Sequence, residues 1–116
     1  MKSLLFLSAI LLLMGCSTTA EVLEFEANQS MAITGKGPGQ DAVENPFADE
    51  ASVAVVNNRG RSSILARVKT RDGRLGTTPI PPKKKRSLVI LPGTELYLDS
   101  PAAGKVKITF KRFEVE

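Results

Sequence analysis

The chain has no histidine, no tryptophan, one cysteine and only 5% aromatic residues in a length of 116. Each shortage excludes something. One thiol cannot close a disulfide within the chain. Zinc, haem and iron–sulfur sites assembled from Cys and His sets lack their ligands. A catalytic dyad or triad that runs through an imidazole is impossible. The cysteine pair and tryptophan of a true immunoglobulin domain are absent. The longest apolar run, Leu4 to Met14, has eleven residues, whereas crossing roughly 30 Å of hydrocarbon takes about 20. Outside that run, no segment keeps apolar residues at i, i+3, i+4 and i+7 for more than two turns.

What is present begins with the leader. Lys2 sets a positive charge ahead of the apolar run, which has the length of a secretory signal core. Leu13-Met14-Gly15-Cys16 follows, then Ser17-Thr18-Thr19. This junction resembles the lipobox of bacterial lipoproteins: a leucine three before the cysteine, a small glycine just before it, and the cysteine itself. Met14 is bulkier than the residue usual there, and the resemblance covers the leader alone. It implies cleavage between Gly15 and Cys16, a diacylglyceryl group on the Cys16 sulfur and an acylated new amino terminus. Several acyl chains anchor stably where one holds only marginally. Ser17 stands where an aspartate would favour the inner membrane, so the resemblance implies the outer membrane, with the protein facing the periplasm. The expected organisation is a signal peptide over 1–15, a lipidated N-terminus and tether over 16–20, and one domain over 21–116.

Removal of the leader leaves 101 residues, enough for one modest core. Formal charge divides sharply along them. Cys16 to Glu50 holds one cation, Lys36, against seven acids; Ala51 to Glu116 holds fourteen cations against five acids. The overall +4 averages a segment of −6 and one of +9.

Strand signals fill the domain. Leu23 and Phe25 alternate with Glu24 and Glu26, and Ser30 to Thr34 is a second candidate. Ser52 to Asn57 is a short, nearly continuous apolar run. Ile64 to Thr70, Thr94 to Asp99 and Lys105 to Phe110 alternate with period 2. Ser87 to Leu91 is a further strand. Asp72-Gly73 and Pro92-Gly93 are tight-turn signals. Leu75 to Pro82 contains three prolines and so cannot be a central strand. Past Phe110 the apolar phase slips by one, to Phe113 and Val115, which predicts a β-bulge near Lys111-Arg112. Gly35 to Glu50 is a long irregular connection, the kind that is usually functional or mobile. The expectation is an all-β fold, a single antiparallel sandwich or small barrel of about seven short strands, after an N-terminal signal-peptide helix.

Candidates for chemistry are few. No serine lies three residues before a lysine, and a small sandwich leaves little room for a cleft with paired carboxylates. No catalysis and no cofactor are expected. Asp41, Glu44, Asn45, Asp49 and Glu50 gather hard oxygens in one loop without the spacing of an EF-hand. A calcium site, a solvated loop, and pairing with the basic half of the domain all stay open. Gly35 to Gly39 lacks the Gly-Lys-Ser/Thr ending of a phosphate loop, and Pro38 removes a donor.

The basic stretch is sharper. Arg59 to Arg86 holds ten cations and one acid, ending in Lys83, Lys84, Lys85 and Arg86 behind Pro81-Pro82. The stretch has no aromatic residue for base stacking, and the implied compartment holds no nucleic acid. Contact with an anionic lipid or cell-wall polymer, or plain solvation, is what remains. The cationic C-terminal strand is expected at a sheet edge, where charge discourages pairing or a partner strand is accepted.

These readings combine into a lipid-anchored envelope lipoprotein that acts as a non-enzymatic binding or structural module. The membrane is its partner through Cys16. A protein complex of the envelope, an anionic lipid or a wall polymer is met through the long loop and Lys83 to Arg86. The alternative is an inhibitor or exclusion factor that blocks an envelope enzyme or receptor.

Overall fold

In Glu95–Ser100 buried residues alternate strictly with half-buried ones: Leu96, Leu98 and Ser100 turn inward, Glu95, Tyr97 and Asp99 outward. Seven further strands form in the computed structural model, which describes residues 19–37 and 39–113, and of these Ser52–Asn58 and Gly104–Arg112 keep the same alternation. The leader, Cys16, the signal-peptide helix and Val115 lie outside the described residues. The strands are β1 (Thr19–Phe25), β2 (Gln29–Thr34), β3 (Ser52–Asn58), β4 (Ile64–Lys69), β5 (Leu75–Ile80), β6 (Lys85–Ile90), β7 (Glu95–Ser100) and β8 (Gly104–Arg112).

They form two antiparallel sheets of four, ordered β1-β8-β3-β6 and β2-β7-β4-β5. The pairings β1:β8, β2:β7, β3:β6 and β4:β5 describe one long ribbon folded back at the β4–β5 turn. The pairings β8:β3 and β7:β4 then roll that ribbon up. This is the strand order of a jelly roll, the eight-stranded double-Greek-key sandwich. Fifteen buried apolar side chains fill the space between the sheets, Phe110, Ile108, Leu96 and Leu98 among the most enclosed.

The expected sandwich is thus present, with eight strands. The additional strand is β5, which carries Pro79 opposite Leu65. A proline cannot donate to a ladder, and β5 is accordingly an edge strand. Two expectations are corrected. The cationic C-terminal strand β8 is interior, paired with β1 on one side and β3 on the other. Its partnership with β3 runs unshifted to Ser52↔Arg112, so no bulge forms at Lys111-Arg112. The phase slip marks the strand leaving the sheet, with Phe113 exposed. The register shift among these ladders falls instead in β2, between Ala32 and Thr34.

The long connection from β2 to β3 is neither merely polar nor free. Ala42 and Val43 donate their amides to the carbonyls of Ala32 and Ile33 at 3.0 Å. Val43 and Phe47 are 2% and 6% exposed and close the core at that end. The buried Asn45 amide donates to Ser52 Oγ at 3.0 Å and its oxygen accepts from the Phe47 N–H at 2.9 Å. Gly35 is required where the loop starts. Its φ is +104°, and a Cβ there would stand 2.3 Å from the Thr94 carbonyl oxygen.

Alternating strand directions sort the connections into two ends. The near end holds the start of β1, the 35–51 loop, the 70–74 and 91–94 turns, and the exit of β8. The far end holds the connections 26–28, 59–63, 81–84 and 101–103.

Candidate functional site

The far end is organised by Asn58, the last residue of β3 and only 1% exposed. Its side-chain amide donates to the carbonyls of Ser62 (2.8 Å) and Ile80 (2.9 Å), and its oxygen accepts from Gly60 N–H (3.0 Å). Every polar atom of this buried group is used, as burial demands. Its backbone N–H donates to the Lys84 carbonyl, and that of Arg59 to the Lys105 carbonyl, both at 2.8 Å. Three connections are thereby tied together, and each brings cations.

Pro81-Pro82-Lys83-Lys84 is a type II turn, with the Lys84 N–H donating to the Pro81 carbonyl at 3.2 Å. Such a turn needs a positive φ at its third residue. Lys83 supplies it at 64°, a left-handed conformation that is uncommon outside glycine. The Lys83 Nζ then donates to the Arg59 carbonyl at 2.9 Å, laying one cationic segment across the other. Asn57, Asn58, Arg59, Lys83 and Lys105 line a shallow depression of about 410 Å³.

The four consecutive cations singled out in the sequence do not act as a block. Lys83 and Lys84 sit on the turn, while Lys85 and Arg86 open β6. Lys85 pairs with Asn57, which pairs on its other side with Lys107 of β8. Lys85 and Lys107 therefore share the outward phase of one row across the sheet. Arg86 pairs with Val56 and takes the opposite phase, its Nη1 folded back onto the Lys85 carbonyl at 2.9 Å. Lys105, Lys107 and Arg59 join the cluster from outside the singled-out set. The alternation Lys105-Val106-Lys107-Ile108 carried that signal, but sequence alone could not say which strands flank it.

The outer face of the other sheet behaves differently. Arg67 donates twice to Asp99, at 2.6 and 3.0 Å, and Ser30 Oγ donates to the same carboxylate at 2.6 Å. The Arg67 guanidinium also lies 4.8 Å from the centre of the Tyr97 ring. Tyr97 donates to Glu95, and Lys36 stands 3.9 Å from that carboxylate. The Arg67 hydrogen bonds hold the Asp99 carboxyl below the usual aspartate range. The phenol of Tyr97 is pushed up by its bond to Glu95, whose own carboxyl that bond lowers. These charges answer one another.

The acidic loop is likewise engaged at home. Asp41 accepts from the N–H groups of Gly35 (3.2 Å), Lys36 (2.8 Å) and Gly37 (3.3 Å), filling with its own carboxylate the amide concavity that an anion would occupy. Asn45 is committed to Ser52 and Phe47, and Glu50 lies 3.7 Å from Arg112. Among the described residues no three His, Cys, Asp or Glu side chains converge as a metal site would require. The ion pairs found among the described residues are Lys36–Glu95, Arg67–Asp99, Arg74–Asp72 and Arg112–Glu50. None engages Arg59, Arg61, Lys83, Lys84, Lys85, Arg86, Lys105 or Lys107.

Against known protein families, curated proteins and solved structures the chain finds no match.

Proposed function

We propose that the chain is a lipid-anchored lipoprotein of the bacterial envelope, most consistent with the outer membrane, that works without catalysis as a binding module. It docks on an anionic partner through the far end of the sandwich. The observation that carries the docking role is the gathering at one end of eight cations that none of the ion pairs found among the described residues engages. Like charges held this close repel unless solvated or matched by anions. Each contributes about 1 kcal/mol near an anionic surface. The anchor rests on the lipobox, where Cys16 is the chain's one thiol.

The test expresses the full chain with its leader in a bacterial host. Metabolic labelling with a fatty acid should mark the protein, and Cys16→Ser should abolish the label and move it to the soluble envelope fraction. Retention in the membrane by the Cys16→Ser protein would overturn the anchor.

A further inference from the structure

The cationic corner and the start of β1 lie at opposite ends of the sandwich. β1 rises from Thr19 at the near end to Phe25 at the far end, about 20 Å of extended strand. This inference rests on the anchor at Cys16 proposed above. Two residues, Ser17 and Thr18, separate that cysteine from Thr19, three chain steps with a reach of at most about 10 Å. A short tether therefore holds the near end at the membrane and carries the corner away from it. Surface charge is screened within about 8 Å at physiological salt, so the field of the anchoring leaflet fades before the corner.

The corner's make-up narrows the partner further. Lys105 and Lys107 are two residues apart on β8, about 7 Å, and Lys85 lies two strands from Lys107, about 10 Å. Arg59 and Lys83 extend the array onto the adjoining loops. A protein partner would call for a buried aromatic or aliphatic centre within such a patch. The large exposed apolar residues Leu75, Val89, Leu91 and Phe113 all lie toward the near end, and Val22 alone borders the cluster. An array of spaced cations without an apolar centre suits a ligand that repeats its charge.

We infer that Arg59, Lys83, Lys85, Lys105 and Lys107 form a binding surface for an anionic cell-wall polymer, facing away from the leaflet that holds the lipid. The lipoprotein thus spans from membrane to wall.

Lysine footprinting on the lipidated full chain tests this. The protein is inserted into vesicles of zwitterionic lipid or of lipid rich in anionic headgroups, with or without purified wall sacculi. A water-soluble acylating reagent then reports each lysine by mass spectrometry. Sacculi should suppress labelling of Lys83, Lys85, Lys105 and Lys107 while sparing Lys36 and Lys69, and the two vesicle types alone should label alike. Protection of the four by anionic vesicles without sacculi would assign the corner to the leaflet and overturn the inference, as would sacculi that leave them as reactive as Lys36. Replacing the four with Gln should weaken sacculus binding at least about 100-fold, counting roughly five-fold for each cation, with an unchanged melting curve showing that the fold is intact. The intact mass of the purified chain separates the two readings. Absent acyl groups overturn the anchor, whereas a lipidated chain indifferent to sacculi overturns the wall contact alone.

Discussion

Strand β6 is bounded by two turns of the same type at opposite ends of the molecule. At the near end, Leu91-Pro92-Gly93-Thr94 closes with the Thr94 N–H on the Leu91 carbonyl at 3.0 Å, and Gly93 takes the positive φ of 85°. At the far end, Pro81-Pro82-Lys83-Lys84 closes in the same way, but Lys83 takes the positive φ. Glycine adopts that conformation freely, while an L side chain loses roughly 1–2 kcal/mol there. The difference extends to the ends as wholes. The near end balances Lys36, Lys69, Arg71, Arg74, Lys111 and Arg112 against Asp41, Glu44, Asp49, Glu50, Asp72 and Glu95. The far end sets its eight cations against Glu24, Glu26 and Asp99, and Asp99 is taken by Arg67. One end is built for closure and internal neutrality. The other keeps charge in view at a conformational cost, the pattern expected where strain accompanies a working surface.

The largest effect should come from opening the near end. Phe47 covers the core from the loop and is nearly enclosed, with the Arg112 guanidinium 5.5 Å from its ring centre. Phe47→Ala should lower unfolding free energy by about 3 kcal/mol, the lower part of the usual range for a large core truncation. Urea denaturation measures it, and sacculus binding by the folded fraction should not change. A loss of binding equal to the loss of stability would mean that the two ends are not separable.

A middle effect is expected from the neutral face. The folded-state pKa of Asp99 lies below its ordinary value of 3.8 because Arg67 donates to it. A depressed carboxylate contributes stability above its unfolded pKa, and that contribution disappears as pH falls through the folded value. Both side chains remain partly exposed, at 36% and 28%, so solvent screening keeps the coupling near 1 kcal/mol. A double-mutant cycle of Arg67→Met and Asp99→Asn at pH 7 should read that coupling. Repeated well below pH 3.8, it should approach zero. A coupling independent of pH would show that packing of Arg67 on Tyr97, rather than charge, holds this face.

The alternating strands were legible because period 2 survives any register. β4, β7 and β8 place their inward residues where alternation puts them. β5 was legible only as something other than a central strand, since Pro79 shows what it cannot donate but not that it pairs with Leu65 on one side. The near-end plug was hidden because the buried phase through Val43, Asn45 and Phe47 has a polar residue at its middle position, so the apolar alternation that marks the strands is broken there. The cationic corner was half legible. Lys83 to Arg86 announce themselves by adjacency. Lys105 and Lys107 meet Lys85 only through the ladders that set β3 between β6 and β8, a pairing across more than twenty residues that no local pattern encodes.

The smallest expected effect is the sharpest test of the contrast between the two turns. Lys83→Gly gives the far turn the residue its near-end counterpart already has. The left-handed strain is removed, while the Nζ bond to the Arg59 carbonyl is lost and the unfolded chain gains freedom. These terms oppose one another, and the net should be a gain in stability of up to about 1 kcal/mol, read from the denaturation midpoint. Binding to sacculi should fall by about five-fold, the share of one cation. Stability and binding then move in opposite directions at one residue. If the glycine variant were less stable, the turn would be held by the lysine side chain and Lys83 would be a structural residue. If it were more stable and bound equally well, the left-handed lysine would have no role at the surface, and the two turns would differ without functional meaning.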